Sequence, residues 1–184
     1  MPHKLGDIPY RFPNEDEWTN LAYLIIPLAA TTIVEALLLG FASYVLSIGS
    51  WAWHKNENVF SRRLDEMGMM MVLPAICFVL FGSIVGGISG TVAKCACVFF
   101  WLFYYENLHH TSSFKHIAGW GTLILVQAII VSGWWAFLPV GALSIAMWGQ
   151  FSFPWNEKRY EHGSRHGLIW HTFGALALFL VLII

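Results

Sequence analysis

Ser50, His54 and Asp65 follow one another at intervals of four and eleven residues, where one apolar stretch ends and the next begins. Four residues are one turn of helix, so Ser50 and His54 share a helix face. Ionisable groups this close to hydrocarbon are costly without a partner or a polar cavity, and function is the first hypothesis for them. A second group lies near the C-terminal end, where Glu161-His162-Gly163-Ser164-Arg165-His166-Gly167-Leu168-Ile169-Trp170-His171 carries three histidines within ten residues. Neutral imidazole is the commonest ligand of zinc, and three protein ligands with a fourth position left to water is the layout of a catalytic rather than a structural site. The candidate ligands are His54, His166 and His171, with His162 in reserve. Zinc would lower the pKa of water and polarise a carbonyl. Asp65 would serve as general base and then acid, and Ser50 would donate a hydrogen bond to the water or the developing oxyanion. His166 and His171 are five residues apart, roughly 140° on a regular helix of about 100° per residue. A π-bulge, or a helix beginning only after His166, would bring them together. The pair His162 and His166 has one-turn spacing, but His162 falls in a hydrophilic loop.

The elements that must position these residues are apolar helices. Of 184 residues, 57% are hydrophobic and 11% charged, with mean hydropathy +0.60, against about 25% charged in a soluble domain. A crossing helix takes about 20 residues, and the apolar runs divide into spans near 18–33, 35–54, 67–85 and then to about Tyr105, two more between His116 and Phe153 broken near Ser132 and Gly133, and a last from His166 to Ile184. Thr31, Thr32 and Glu35 mark the first turn, and Lys55 to Arg63 reads as a loop. The expected fold is an all-α integral membrane bundle of seven transmembrane helices in a single domain over residues 1–184. Counting crossings places Ser50, His54, Asp65 and the late histidines at one membrane face. Nine of the ten basic residues fall on that face, with Lys94 alone near the other, which makes it the cytoplasmic one by the positive-inside rule. Ten basic against eleven acidic residues leave no electrostatic case for nucleic acid. Cys77, Cys95 and Cys97 lie in apolar stretches and read as buried thiols. The polar segment up to Glu17 lacks the order of a signal peptide, so the first span is expected to do its own targeting.

With these residues in place, the stretch from Glu17 to Glu66 resembles the alkaline ceramidase family. The resemblance rests on Glu17-Trp18-Thr19-Asn20, Leu24-Ile25-Ile26-Pro27, Gly49-Ser50-Trp51-Ala52-Trp53-His54 and Leu64-Asp65-Glu66, and returns at Trp170-His171-Thr172-Phe173-Gly174. That family belongs to a superfamily of seven-helix membrane hydrolases that also includes progestin and adiponectin receptor proteins. Its pattern of Ser, His four later and Asp eleven after that is met by Ser50, His54 and Asp65; its late histidines are four apart, where His166 and His171 are five apart. The resemblance implies zinc-dependent cleavage of a ceramide-like lipid to a sphingoid base and a fatty acid, in an endoplasmic reticulum or Golgi membrane in a eukaryote or the inner membrane in a bacterium. Animal members also bind calcium (Ca2+) through an acidic N-terminal segment; Glu17 matches one of its positions and the rest is missing.

Plainer readings stand beside each of these. His54 could hydrogen-bond to a carbonyl, and Asp65 could cap the third helix. His109, His110 and His116 read as interfacial residues, Glu35 as a turn or buried polar contact, and Met67, Met69, Met70 and Met71 as packing. At the level of the whole chain, the rivals are a hydrolase of another acyl lipid and a non-catalytic seven-helix lipid or hormone receptor with structural zinc.

Overall fold

The computed structural model describes residues 18–56, 58–107, 113–152 and 167–184, and among them every regular element is helical. A 3-10 helix, α1 (Asn20–Ala29), is followed by four α-helices: α2 (Ile33–Asn56), α3 (Val59–Val85), α4 (Gly87–Asn107) and α5 (Ser113–Ser132). A short 3-10 link (Gly133–Ala136) leads to α6 (Phe137–Ser152), and a π-turn (Gly167–His171) runs directly into α7 (Thr172–Ile183).

Three stretches are long and apolar enough to cross a membrane: Ile33–Lys55, Val59–Val85, and Lys115–Ser152, which holds α5, the link and α6. Asn20–Ala29, Gly87–Phe103 and Gly167–Ile183 are apolar but shorter. These lengths give six apolar segments among the described residues rather than the seven spans expected, because the break at Gly133 leaves the chain helical on both sides. Large apolar side chains such as Leu28, Ile33, Ile88 and Trp134 are exposed on the outside, as on a surface that faces hydrocarbon rather than water.

α1 has an unusual length for a 3-10 helix, a form that rarely exceeds three or four residues. Its buried residues are Asn20, Tyr23 and Ile26, a spacing of three that is the period of a 3-10 helix and lines all three up on one side. That line packs against α2 and α7. The rise of about 2.0 Å per residue stretches ten residues to about 20 Å, where an α-helix would reach about 15 Å.

α2 and α3 form the most extensive helix pair, brought together by glycine. A Cβ on Gly49 would fall on the backbone of Leu64 and Asp65, and one on Gly68 on the backbone of Leu46. Behind this contact Leu39, Leu46, Met70 and Ile76 are fully buried. α3 also carries α4 and α5, and Trp101 of α4 donates its indole N–H to the Met71 carbonyl at 3.0 Å.

Several sequence expectations meet these elements directly. The first turn falls at 30–32, as Thr31, Thr32 and Glu35 suggest. The expected loop from Lys55 to Arg63 is corrected: α3 starts at Val59, because Asn58 and Ser61 form a reciprocal capping box that begins the helix early. Met70 and Met71 are buried packing residues, and Met67 and Met69 pack part-buried against the core. Cys77 and Cys97 are buried, whereas Cys95 is exposed, since it lies on the outer side of α4.

Candidate active site

The last turns of α2 carry Ser50 and His54, both buried at 3% and 7% exposure. They continue a polar stripe of Ser43 and Ser47, equally buried on the same helix, at the four-three-four spacing that keeps one face. Asp65, half-buried, lies in the second turn of α3. The N-cap of that helix is Asn58, not Asp65, so the capping reading of Asp65 is excluded. The close approach at Gly49, one residue before Ser50, presses the α2 backbone onto Leu64 and Asp65. As a result the Ser50 hydroxyl stands beside the Asp65 carboxyl.

From the other end of the sequence, His171 closes the π-turn and is 2% exposed. Its ring meets the His54 ring edge-on, with centroids 5.0 Å apart and planes at 67°. Ile169 of the π-turn fits into the space left by Gly149 on α6, which seats the turn. A π-turn is rare and concentrates at functional sites; it begins at Gly167, and His166, the other end of the five-residue spacing, lies outside the described residues.

Thr19, just before α1, and Tyr23 within it complete the cluster, and the sequence reading gave neither a role. Thr19 Oγ1 lies 3.0 Å from His171 Nδ1. The Tyr23 ring also packs edge-on against His171, with centroids 6.0 Å apart. Local spacing gave no signal for either, since the partner of both, His171, lies at the far end of the chain.

The structure therefore brings together Ser50, His54, Asp65 and His171. His162 and His166 lie outside the described residues, as do His109, His110 and Glu17. Among the described residues no three His, Cys, Asp or Glu side chains converge as a metal-binding group. Two buried imidazoles in edge contact offer two nitrogens of the kind zinc takes, and among the described residues no third such donor joins them.

At the far end of α2, Glu35 and Lys94 form a buried ion pair, Nζ to Oε1 at 2.5 Å. Glu35 Oε2 also accepts from the backbone N–H and hydroxyl of Thr31 and from the Thr32 N–H. Glu35 is thus both the turn and the buried polar contact expected of it, remote from the histidines. Compared with known proteins, the chain matches no family model, no curated protein and no solved structure.

Proposed function

We propose that the chain is a zinc-dependent, multi-pass membrane hydrolase that cleaves the amide of a ceramide-like lipid to a sphingoid base and a free fatty acid. The observation that carries this reading is the buried edge contact of His54 with His171 beside the paired Ser50 and Asp65. Residues separated by more than a hundred positions in sequence meet in one cluster whose members are a metal donor pair, a proton acceptor and a hydroxyl donor.

Six apolar segments, three of them long enough to cross, support a multi-pass membrane bundle.

His54 and His171 would hold zinc with His166 as the third ligand and His162 in reserve. When bound, zinc supplies a lowered water pKa and a polarised carbonyl. Asp65 takes a proton from the attacking water as its oxygen bonds to the amide carbon. Asp65 then returns that proton to the amide nitrogen as the C–N bond breaks, so a carboxylic acid and an amine leave. Ser50 donates a hydrogen bond where negative charge develops. A site at the end of α2 suits an amide at headgroup depth with its chains in hydrocarbon.

The test couples metal analysis of the purified protein to mass-spectrometric detection of fatty acid released from a ceramide panel. Stoichiometric zinc with release that stops on chelation and returns on zinc addition is the expected outcome. Absence of zinc would sink the mechanism. Release from esters or other acyl lipids alone would move the substrate class, and zinc without release from any acyl lipid would favour a receptor with structural zinc.

A further inference from the structure

α3 is longer than the hydrocarbon layer is thick. Its 27 residues at about 1.5 Å each reach about 40 Å, against about 30 Å of hydrocarbon. From Met67 to Val85 the helix carries no charged residue, and that stretch alone spans about 28 Å. The charged first turns, Val59 to Glu66, therefore stand at headgroup depth. There Val59, Arg62, Arg63 and Glu66 line an open groove of about 530 Å³. Arg62 Nε donates to Glu66 Oε1 at 3.1 Å, and among the described residues no carboxylate pairs with Arg63. Asp65 stands beside Ser50 and is not part of the groove lining. Val59 and Phe60 are 70% and 76% exposed. Lys55, at the end of α2, adds a further exposed cation at the same corner, its Nζ 4.7 Å from the centre of the Trp51 ring.

We propose that this groove holds the headgroup of an anionic phospholipid, with the two guanidinium groups on its phosphodiester and Val59 and Phe60 against the first carbons of its chains. A guanidinium presents a planar fork that matches two phosphate oxygens and gives up its hydration more readily than an ammonium. The one carboxylate in the groove is committed to Arg62, and this pair, one turn apart, holds the Arg62 side chain along the groove. Arg62, Arg63 and Lys55 against Glu66 leave an excess of positive charge. A zwitterionic headgroup would bring an ammonium of its own into that field, whereas an anionic one balances it. The exposed Val59 and Phe60 distinguish a lipid from a free phosphate, because only a lipid carries apolar chains next to the phosphate. By the distribution of basic residues this face is the cytoplasmic one, the side on which anionic lipids give the leaflet its negative potential. The inference needs α3 to cross a membrane and is independent of any hydrolysis at Ser50 and Asp65.

The test titrates the purified full-length protein in detergent with phosphatidylglycerol or with phosphatidylcholine of the same chains, and counts retained lipid by native mass spectrometry. The proteins are wild type, Arg62→Gln, Arg63→Gln, the double variant and Lys115→Gln, which removes an exposed charge at the start of α5. A basic residue near an anionic lipid surface contributes about fivefold in affinity. Wild type is expected to retain phosphatidylglycerol in preference to phosphatidylcholine. Each glutamine variant is expected to weaken that retention about fivefold and the double variant about 25-fold, with Lys115→Gln unchanged. Inorganic phosphate at the lipid concentration is expected not to displace the lipid. Equal retention by wild type and the double variant, or equal losses in Lys115→Gln and Arg62→Gln, would overturn the groove as the site. Should the double variant fail to fold, the single variants decide, and retention undiminished in both would overturn it. Displacement by inorganic phosphate would overturn the lipid as occupant. None of these readouts involves turnover, so the outcome is separate from that of the hydrolase reading.

Discussion

The Ser50 hydroxyl and the Asp65 carboxyl face each other across the α2–α3 contact, and removing either one separates chemistry from folding. On the proposed hydrolase reading, Asp65→Asn preserves size and hydrogen-bonding capacity but cannot hold the transferred proton, so turnover is expected to drop by about 100–10,000-fold, the usual contribution of a general acid–base group. Ser50→Ala removes a single donor and is expected to cost about 100–1,000-fold in kcat, with KM little changed. Both proteins should retain zinc and elute as the wild type does in gel filtration in detergent. A Ser50→Ala enzyme with full kcat would remove the hydroxyl from the chemistry, and an Asp65→Asn enzyme with full kcat would remove the base. At this scale the sequence was informative because Ser50, His54 and Asp65 sit on adjoining ends of consecutive helices, so local spacing carries the geometry. The contact of Thr19 with His171 was hidden for the opposite reason. Its partner is at the far end of the chain, and nothing in local spacing points across that distance.

The helices meet closely enough to bring these groups into contact because of glycine. At Gly49 an added Cβ would meet the Leu64 carbonyl carbon and oxygen and the Asp65 amide nitrogen, all backbone atoms that cannot rotate aside. Gly49→Ala is therefore expected to push α3 away by a fraction of an ångström to an ångström. Overpacking of this kind costs about 1–3 kcal/mol, and a misplacement of about 1 Å can cost about 100-fold in rate. The readouts are thermal unfolding and turnover of the same preparation, with Gly40→Ala as the control, since no atom lies near a Cβ at that position. Equal stability and activity in Gly49→Ala and Gly40→Ala would show that the close approach is not needed. Apolar runs and turn residues revealed most helices and their breaks at Thr31, Gly86 and Gly133. They did not reveal the early start of α3, which depends on a reciprocal cap between Asn58 and Ser61 inside a polar segment. They also left open the helical form around His171, where a regular helix and a π-turn differ by a single backbone hydrogen-bond step.

Across the whole bundle, the polar site at one end of α2 is balanced by a structural polar contact at the other. Glu35 and Lys94 are both buried, at 3% and 9% exposure, and join α2 to α4 on the side away from the histidines. Gly82 makes the pairing possible: the Lys94 stem crosses α3 where a side chain on Gly82 would stand. The sequence held a clue in Glu35 and Lys94 as isolated opposite charges within apolar runs, placed at one face by the count of crossings. Only the packing of α4 on α3 shows that they meet. Breaking a buried pair by removing one partner costs about 3–5 kcal/mol because the other charge is left without compensation, and the two halves of this pair are not equal. Without Lys94, the Glu35 carboxylate still accepts from the Thr31 N–H and hydroxyl and the Thr32 N–H. Without Glu35, the carboxylate that meets the Lys94 ammonium is gone. Glu35→Leu is thus expected to lie at the upper end of that range and Lys94→Met at or below its lower end. Glu35→Leu with Lys94→Met together should recover most of the loss, since replacing both members of a buried pair with apolar groups is often neutral. Thermal unfolding of the four proteins in one detergent gives the order directly. Equal losses for the two single variants would mean that the threonine contacts do not stabilise the carboxylate, and a purely additive double variant would mean that the charges do not depend on each other. Catalysis provides the complementary reading: at temperatures where each variant is folded, turnover is expected to match the wild type, because the pair anchors the end of α2 opposite to the one that presents Ser50 and His54.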